Sequence, residues 1–267
     1  MKFNYTKKAL YLSLKKVIKD KHEVIFITGN LAYFGKGEFK NKEDTLKTYI
    51  TYIKKIVGED VTIVTSTFTH QLINTDIPFE WKKTKSMHGV IANYLLSLND
   101  SVQSFHPFTS FCAIGPKAEY ICTNNTKHPY GIDSPYDKML DCYNTLTISI
   151  GMPPNLTCSI VHHSEVVMNV PYRYTKEFYH PIKIKNKIKY QNYYLPVTYM
   201  NMELKRNINK NFMANFEKNN IINKAKIGKG TIYSYNMKDF FNSTIVDLKK
   251  DIYSWLDEEP KSKPYRS

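Results

Sequence analysis

The chain reads as an α/β protein: a layered α/β/α core with a mixed sheet, and an additional antiparallel region in its C-terminal third. Three observations point to that class. Short continuous apolar runs that stop at glycine or polar turns recur through the first 150 residues, and segments of helical period lie between them. Beyond about residue 180, apolar residues alternate with lysines, as in strands with one wet face.

The elements follow in order. From Lys8 to Ile18, Leu10, Leu14, Val17 and Ile18 fall at helical spacing among lysines, which describes an amphipathic surface helix. Val24-Ile25-Phe26-Ile27 is a buried strand halted by Thr28-Gly29-Asn30. A second helical stripe, Leu46, Tyr49, Ile50, Ile53 and Val57, closes at Gly58, and Val61 to Thr65 reads as the next strand. Residues 68 to 85 have no clean period and form a long loop, a class that in compact domains is usually functional. A helix starts near Gly89 and carries Ile91, Tyr94, Leu95 and Leu98; the stretch 104 to 115 is strand-like in part. Thr145 to Ile150 alternates and stops at Gly151 as another strand. Ile182 to Tyr199 suggests an antiparallel meander, and helices are expected over about 203–219 and 237–257. The whole describes one domain over 1–260, its core about 1–180 and its antiparallel and helical part about 181–260, with a flexible tail at 261–267.

Composition narrows the function classes. The start of this 267-residue chain has no apolar run with a cleavage site, and no window approaches the roughly 20 apolar residues of a membrane span, so a cytoplasmic protein without membrane attachment is expected. Cys112, Cys122, Cys142 and Cys158 are too widely spaced for CxxC metal pairs and read as reduced, buried thiols. The balance of 38 Lys+Arg against 24 Asp+Glu, a net +14, favours anionic partners, although AT-rich coding would produce part of the same bias. Neither GxGxxG after the first strand nor GxxxxGK[ST] occurs, which argues against Rossmann dinucleotide binding and P-loop phosphate transfer.

The densest reactive cluster is Ser159-Ile160-Val161-His162-His163-Ser164-Glu165. On a helix opened by Ile160, His162 and Glu165 share a face and make an imidazole–carboxylate pair suited to acid–base work, while the bland alternative is a surface helix start. Neighbours this close in sequence cannot supply a metal site, so no metal is expected. A Cys–His nucleophile would use Cys158 or Cys112, with nothing local to single out either. Ser86 precedes the helix near Gly89 and is a candidate cap beside free backbone amides.

Three segments in order resemble the antibiotic (aminoglycoside-3) N-acetyltransferase family. Residues 86 to 118, with Ser86, Gly89, Ser104, His106-Pro107-Phe108, Ser110, Ala113, Gly115 and Ala118, are similar to its motif region. Tyr130-Gly131-Ile132-Asp133-Ser134-Pro135-Tyr136 resembles its Gly-x-x-Ser-Pro-Tyr loop. Ser159 to Glu165, followed by Val170-Pro171-Tyr172-Arg173, resembles its [Thr/Ser]-x-x-His-x-x-Glu segment and the stretch after it. With the first strand and its loop, the resemblance spans roughly 24 to 178. Departures lie at Thr28-Gly29-Asn30, where many relatives have His-Ser-[Ser/Asp], and at Gln103 in place of Arg.

The resemblance implies a CoA-dependent N-acyltransferase in which acetyl-CoA, as co-substrate, acylates an amine by direct transfer. It gives His162 the general-base role, with His163 as fallback, and places Glu165 in the substrate site. Thr28, Gly29, Asn30, Ser86, Gly89 and Ser104 are expected on the CoA side, and Asp133, Ser159 and His163 on the amine side. Because a +14 chain suits an anionic acceptor better than a polycation, a nucleotide-linked amino-deoxysugar of surface glycan biosynthesis ranks first, its base and diphosphate held by the segment Lys183 to Tyr199. An aminoglycoside ranks second, and a noncatalytic polyanion-binding protein is the rival of another class. A nucleic-acid partner is not expected, and a homodimer is left open.

Overall fold

The computed structural model describes residues 2–205, 210–220 and 222–264. Its first half alternates helix and strand: α1 (Lys7–Val17), β1 (Val24–Gly29), α2 (Lys42–Val57) and β2 (Thr62–Ser66). After a two-residue strand β3 (Phe79–Glu80) come α3 (Gly89–Ser97), β4 (Val102–Gln103), β5 (Phe111–Ile114), α4 (Ala118–Cys122), α5 (Pro135–Asp141), β6 (Leu146–Ile150) and α6 (Ile160–Val167). The remainder is a long ribbon, β7 (Arg173–Ile184) and β8 (Lys187–Thr198), then α7 (Lys210–Asn219), the hairpin β9 (Asn223–Ile227) and β10 (Gly230–Asn236), and α8 (Met237–Lys250).

Seven strands form one mixed sheet in the order β4-β5-β2-β1-β6-β10-β9. β1 lies parallel to β2 and to β6, and the strands outside this trio join antiparallel. Because side chains alternate across a strand, each β1 residue serves one of two cores. Val24 and Phe26 face a core with Val64, Phe111, Tyr136, Phe240 and Trp255, covered by α4 to α8. Ile25 and Ile27 face the other, with Leu10, Ile53, Ile63, Leu95 and Ile148, covered by α1 to α3. The α/β/α layering read from the sequence is therefore present. β3, β7 and β8 make a separate three-stranded sheet, and Phe79, Phe108, Ile182 and Tyr193 pack beneath it.

Several boundaries differ from the sequence reading. The expected meander at 182–199 is one hairpin ribbon that begins at Arg173, and the rest of the antiparallel region is the β9–β10 hairpin, which joins the main sheet. The helix expected over 203–219 begins at Lys210: Glu203 takes a left-handed conformation after a tight turn at Met200–Met202, and 206–209 lie outside the described residues. The helix expected to reach 257 stops at Lys250, because the Asp247 carboxylate accepts bonds from Ser254 Oγ and Trp255 Nε1 at 3.0 Å each and folds the chain back. Near the C-terminus Pro260 is buried and Lys263 is paired to Glu259; of the segment 261–267, residues 265–267 lie outside the described residues. Among the described residues no helix is long and apolar enough to cross a membrane.

Candidate active site

A cavity of about 640 Å³ opens at the carboxyl ends of β1, β2 and β6, the place where open α/β sheets leave a crevice for ligands. Its floor includes Thr28, Gly29 and Asn30. Gly29 is required there: its φ is +98°, and a Cβ would collide with the carbonyl oxygen of Ile150. Asn30 donates its N–H to that same carbonyl at 2.7 Å, and its side chain accepts from the Ala32 amide at 2.9 Å, which fixes the turn. Gly89 lies on the wall at the start of α3 with φ +86° and open space where a Cβ would be, so the backbone is exposed to whatever fills the cavity.

Ser159 and His162 form part of the opposite wall. Ser159 Oγ is 2.5 Å from the hydroxyl of Tyr136, whose ring is fully buried and whose burial pushes the phenol well above its ordinary pKa, so the pair meets the cavity uncharged. The i,i+3 spacing brings His162 Nδ1 within 3.1 Å of Glu165 Oε2. Glu165 does not line the cavity. Its side chain is 0% exposed, Arg173 Nε sits 2.7 Å from Oε2, and the Tyr172 hydroxyl donates to Oε1 at 3.1 Å. The carboxylate thus lies behind the imidazole rather than on the substrate side, a correction to the expectation from resemblance. Its physical cause is the Val170–Arg173 turn, which brings a cation and a phenol under the end of α6.

The other expected residues divide. His163 points about a third of a turn away from His162, into the core: its Nδ1 accepts from the Gly131 amide at 3.1 Å, its ring packs 5.3 Å from Phe241, and burial lowers its pKa to about 4. It is neither an alternative base for this cavity nor part of its lining. Ser86 is buried and braces the turn before α3, donating to the Phe68 carbonyl at 3.2 Å and accepting from the His88 amide at 3.0 Å. Ser104 is buried between β4 and β5, where its Oγ accepts from the Phe111 amide at 2.8 Å. Neither serine is part of the cavity lining, and each spends its hydroxyl on backbone groups. Asp133 occupies an exposed loop, its backbone N–H bonded to Asp137 at 2.9 Å, outside the cavity lining. The Cys–His reading loses Cys112, whose thiol burial pushes up to about 12. All four cysteines are buried and outside any disulfide.

Reasoning from the sequence missed several residues of the site. Tyr172 and Arg173 stood in the matched Val-Pro-Tyr-Arg stretch without an assigned role. Tyr130 packs 5.7 Å from the His162 ring. His88 lines the cavity with its Nδ1 2.7 Å from Ser66 Oγ, and no local pattern could have announced that pairing, since it depends on β2 meeting α3. The residues lining the cavity include no Lys, Arg, Asp or Glu, and none comes from the segment Lys183 to Tyr199.

The α/β/α sandwich is a fold that solved structures share. The family model for aminoglycoside 3-N-acetyltransferase matches residues 34–248. The match extends beyond 178 and begins after Thr28–Asn30, where the sequence departs from the family pattern. No curated protein sequence matches. Among solved structures, apo aminoglycoside acetyltransferase AAC(3)-IVa is 17% identical, with 97% of this chain and 93% of that chain covered at a TM-score of 0.75. AAC-IIIb in a binary complex with CoASH is 16% identical, with coverage of 96% and 99% and a TM-score of 0.75. YokD from Bacillus subtilis is 15% identical, with coverage of 91% and 98% and a TM-score of 0.71. The chain belongs to the aminoglycoside 3-N-acetyltransferase family. It is accordingly a CoA-dependent N-acetyltransferase, with acetyl-CoA as co-substrate and a small-molecule amine as acceptor.

Proposed function

We propose that the chain acetylates an amino group of an aminoglycoside-type amino sugar, with His162 as general base. The observation that carries this is the imidazole on the cavity wall, backed by a buried carboxylate that Arg173 and Tyr172 hold in place. His162 Nδ1 faces Glu165 Oε2 at 3.1 Å and Arg173 Nη2 at 3.3 Å; in the tautomer that donates Nδ1–H to the carboxylate, Nε2 is the proton acceptor, and the carboxylate stabilises the imidazolium once formed. The substrate ammonium gives its proton to His162 and the neutral amine attacks the thioester carbonyl. The C–S bond then breaks and the nitrogen gives up its second proton, leaving an amide, while the departing CoA thiolate takes up one proton in balance. Ser159, held by Tyr136, offers a hydroxyl at the same wall, and the Gly89 turn offers unhindered backbone.

The acceptor follows the family rather than the net charge. The cations that would have held a nucleotide diphosphate lie outside this lining, and relatives crystallised with sisomicin and with a gentamicin share the fold at TM-scores of 0.76 and 0.74. The test is thiol release from acetyl-CoA with sisomicin, gentamicin and a panel of nucleotide-linked amino sugars. Turnover with the aminoglycosides supports the reading. Turnover confined to nucleotide-linked amino sugars would replace the acceptor and keep the enzyme class.

A further inference from the structure

A second cavity, of about 660 Å³, lies between the tip of the β7–β8 ribbon and the segments at 80–83, 103–105 and 122–125, and it shares no lining residue with the His162 cavity. Two aromatic rings are exposed in it, Trp81 at 44% and Phe105 at 38%. Its rim carries Lys83, Lys183 and Lys185 against one carboxylate, Glu80, which lies 3.2 Å from Lys183 and 3.9 Å from Lys83.

The platform is built from inside. Gln103 is 2% exposed, its carbonyl accepts the Trp81 indole N–H at 2.9 Å, and its side-chain oxygen accepts the Lys82 amide at 2.7 Å. Gln103 Nε2 donates to Ser110 Oγ at 3.0 Å, and Lys82 takes φ +59°. A buried amide and a left-handed residue therefore hold the indole at the cavity with its N–H already satisfied, and with the Lys82 ammonium 5.5 Å over the ring the indole has stacking, not a hydrogen bond, to offer a ligand. Flat apolar rings below and an excess of ammonium groups at the edge suit a planar heterocycle that carries phosphate, and the volume is that of a small-molecule pocket.

We propose that this cavity is a purine-nucleotide site, with the base against Trp81 and Phe105 and the phosphates met by Lys83, Lys183 and Lys185. The proposal goes beyond the acetyltransfer reading and does not depend on it. A free nucleotide and the nucleotide end of CoA share this chemistry, and the test separates them.

The chain has two tryptophans, Trp81 and the fully buried Trp255, so quenching of indole fluorescence reports on this cavity. The probes are ATP, adenosine 3′,5′-bisphosphate and 4′-phosphopantetheine, added to the full-length chain without any amine. The expected result is saturable quenching by the two nucleotides and none by phosphopantetheine, with the signal lost in Trp81→Phe. The double variant Lys83→Met, Lys185→Met should bind both nucleotides about tenfold more weakly or worse, the size expected from lost charge-assisted bonds. Absence of saturation, equal affinity in the lysine variant, or the same quenching by phosphopantetheine would each overturn the site. Competition of acetyl-CoA with ATP for the Trp81 signal assigns the nucleotide end of CoA, and additive binding assigns a free nucleotide; both keep the site. Nucleotide binding without turnover on any amine would uphold this site while the acceptor reading failed, and the reverse pattern would do the opposite.

Discussion

A carboxylate with both oxygens engaged has little left for a substrate ammonium, and Glu165 is in that position, between His162, Arg173 and the Tyr172 hydroxyl. In the proposed mechanism it acts on the imidazole. His162→Ala is therefore expected to lower kcat by a factor on the order of 10²–10⁴ while acetyl-CoA affinity, read by calorimetry, stays within a few-fold. Retained turnover would remove His162 from the chemistry. Glu165→Gln is expected to lower kcat and the melting temperature together, since it removes the charge opposite Arg173, whose side chain is only 12% exposed. A raised KM for the amine with unchanged kcat and Tm would instead put Glu165 in contact with substrate. The neighbouring His163 supplies a pH signature. Its folded pKa, about 4, lies below the ordinary 6.5, so on acidification the unfolded chain takes up the proton first. The stability it contributes is complete above pH 6.5 and is lost as pH falls toward 4, roughly 3 kcal/mol for a shift of that size. His163→Gln should flatten the pH dependence of Tm across that window, and an unaltered slope would assign the acid sensitivity elsewhere, with the buried His106 the next candidate.

Strand ends set the cavity floor, and glycine is what lets β1 and β6 close on one another there. Gly29→Ala must open the contact with Ile150, whereas Gly89→Ala meets no atom within 4 Å and carries only the cost of its left-handed backbone, about 1–2 kcal/mol. The expected order is a larger fall in Tm and a larger rise in the KM for acetyl-CoA for Gly29→Ala than for Gly89→Ala, measured by melting and steady-state kinetics. The reverse order would mean that α3, not the β1 turn, governs the cavity. These elements were legible in the sequence because Val24–Ile27 is an unbroken apolar run, Val61–Thr65 is β-branched throughout, and Thr145–Ile150 alternates up to a glycine, patterns that fit strands buried in the sheet. The β9–β10 hairpin escaped notice because Asn223–Ile227 interleaves two lysines with few apolar residues and Gly230–Asn236 is mostly polar, yet Ala225 and Ile232 are buried. At the site, helical spacing and resemblance brought forward His162 and Glu165. Spacing could not say which of two adjacent histidines faces the core, nor that Ser86 and Ser104 are occupied by backbone groups, because those outcomes depend on contacts distant in sequence.

At the scale of the molecule, a charge of +14 surrounds a candidate active-site cavity whose lining has no Lys, Arg, Asp or Glu. The field then acts on approach rather than on contact, and salt reveals its sign. Raising ionic strength from about 10 mM to about 150 mM, which shortens the Debye length from roughly 30 to 8 Å, should raise kcat/KM for a polycationic aminoglycoside and lower it for anionic acetyl-CoA. A fall for both substrates would indicate an anionic acceptor. The sheet meanwhile keeps two cores apart, and the cavity opens where both of them end. Exposed rim residues such as Met87 and Leu156 belong to neither core. Selection can therefore exchange them at little cost to folding, so the molecule's capacity to evolve toward new amines is concentrated at a rim that its stability scarcely registers.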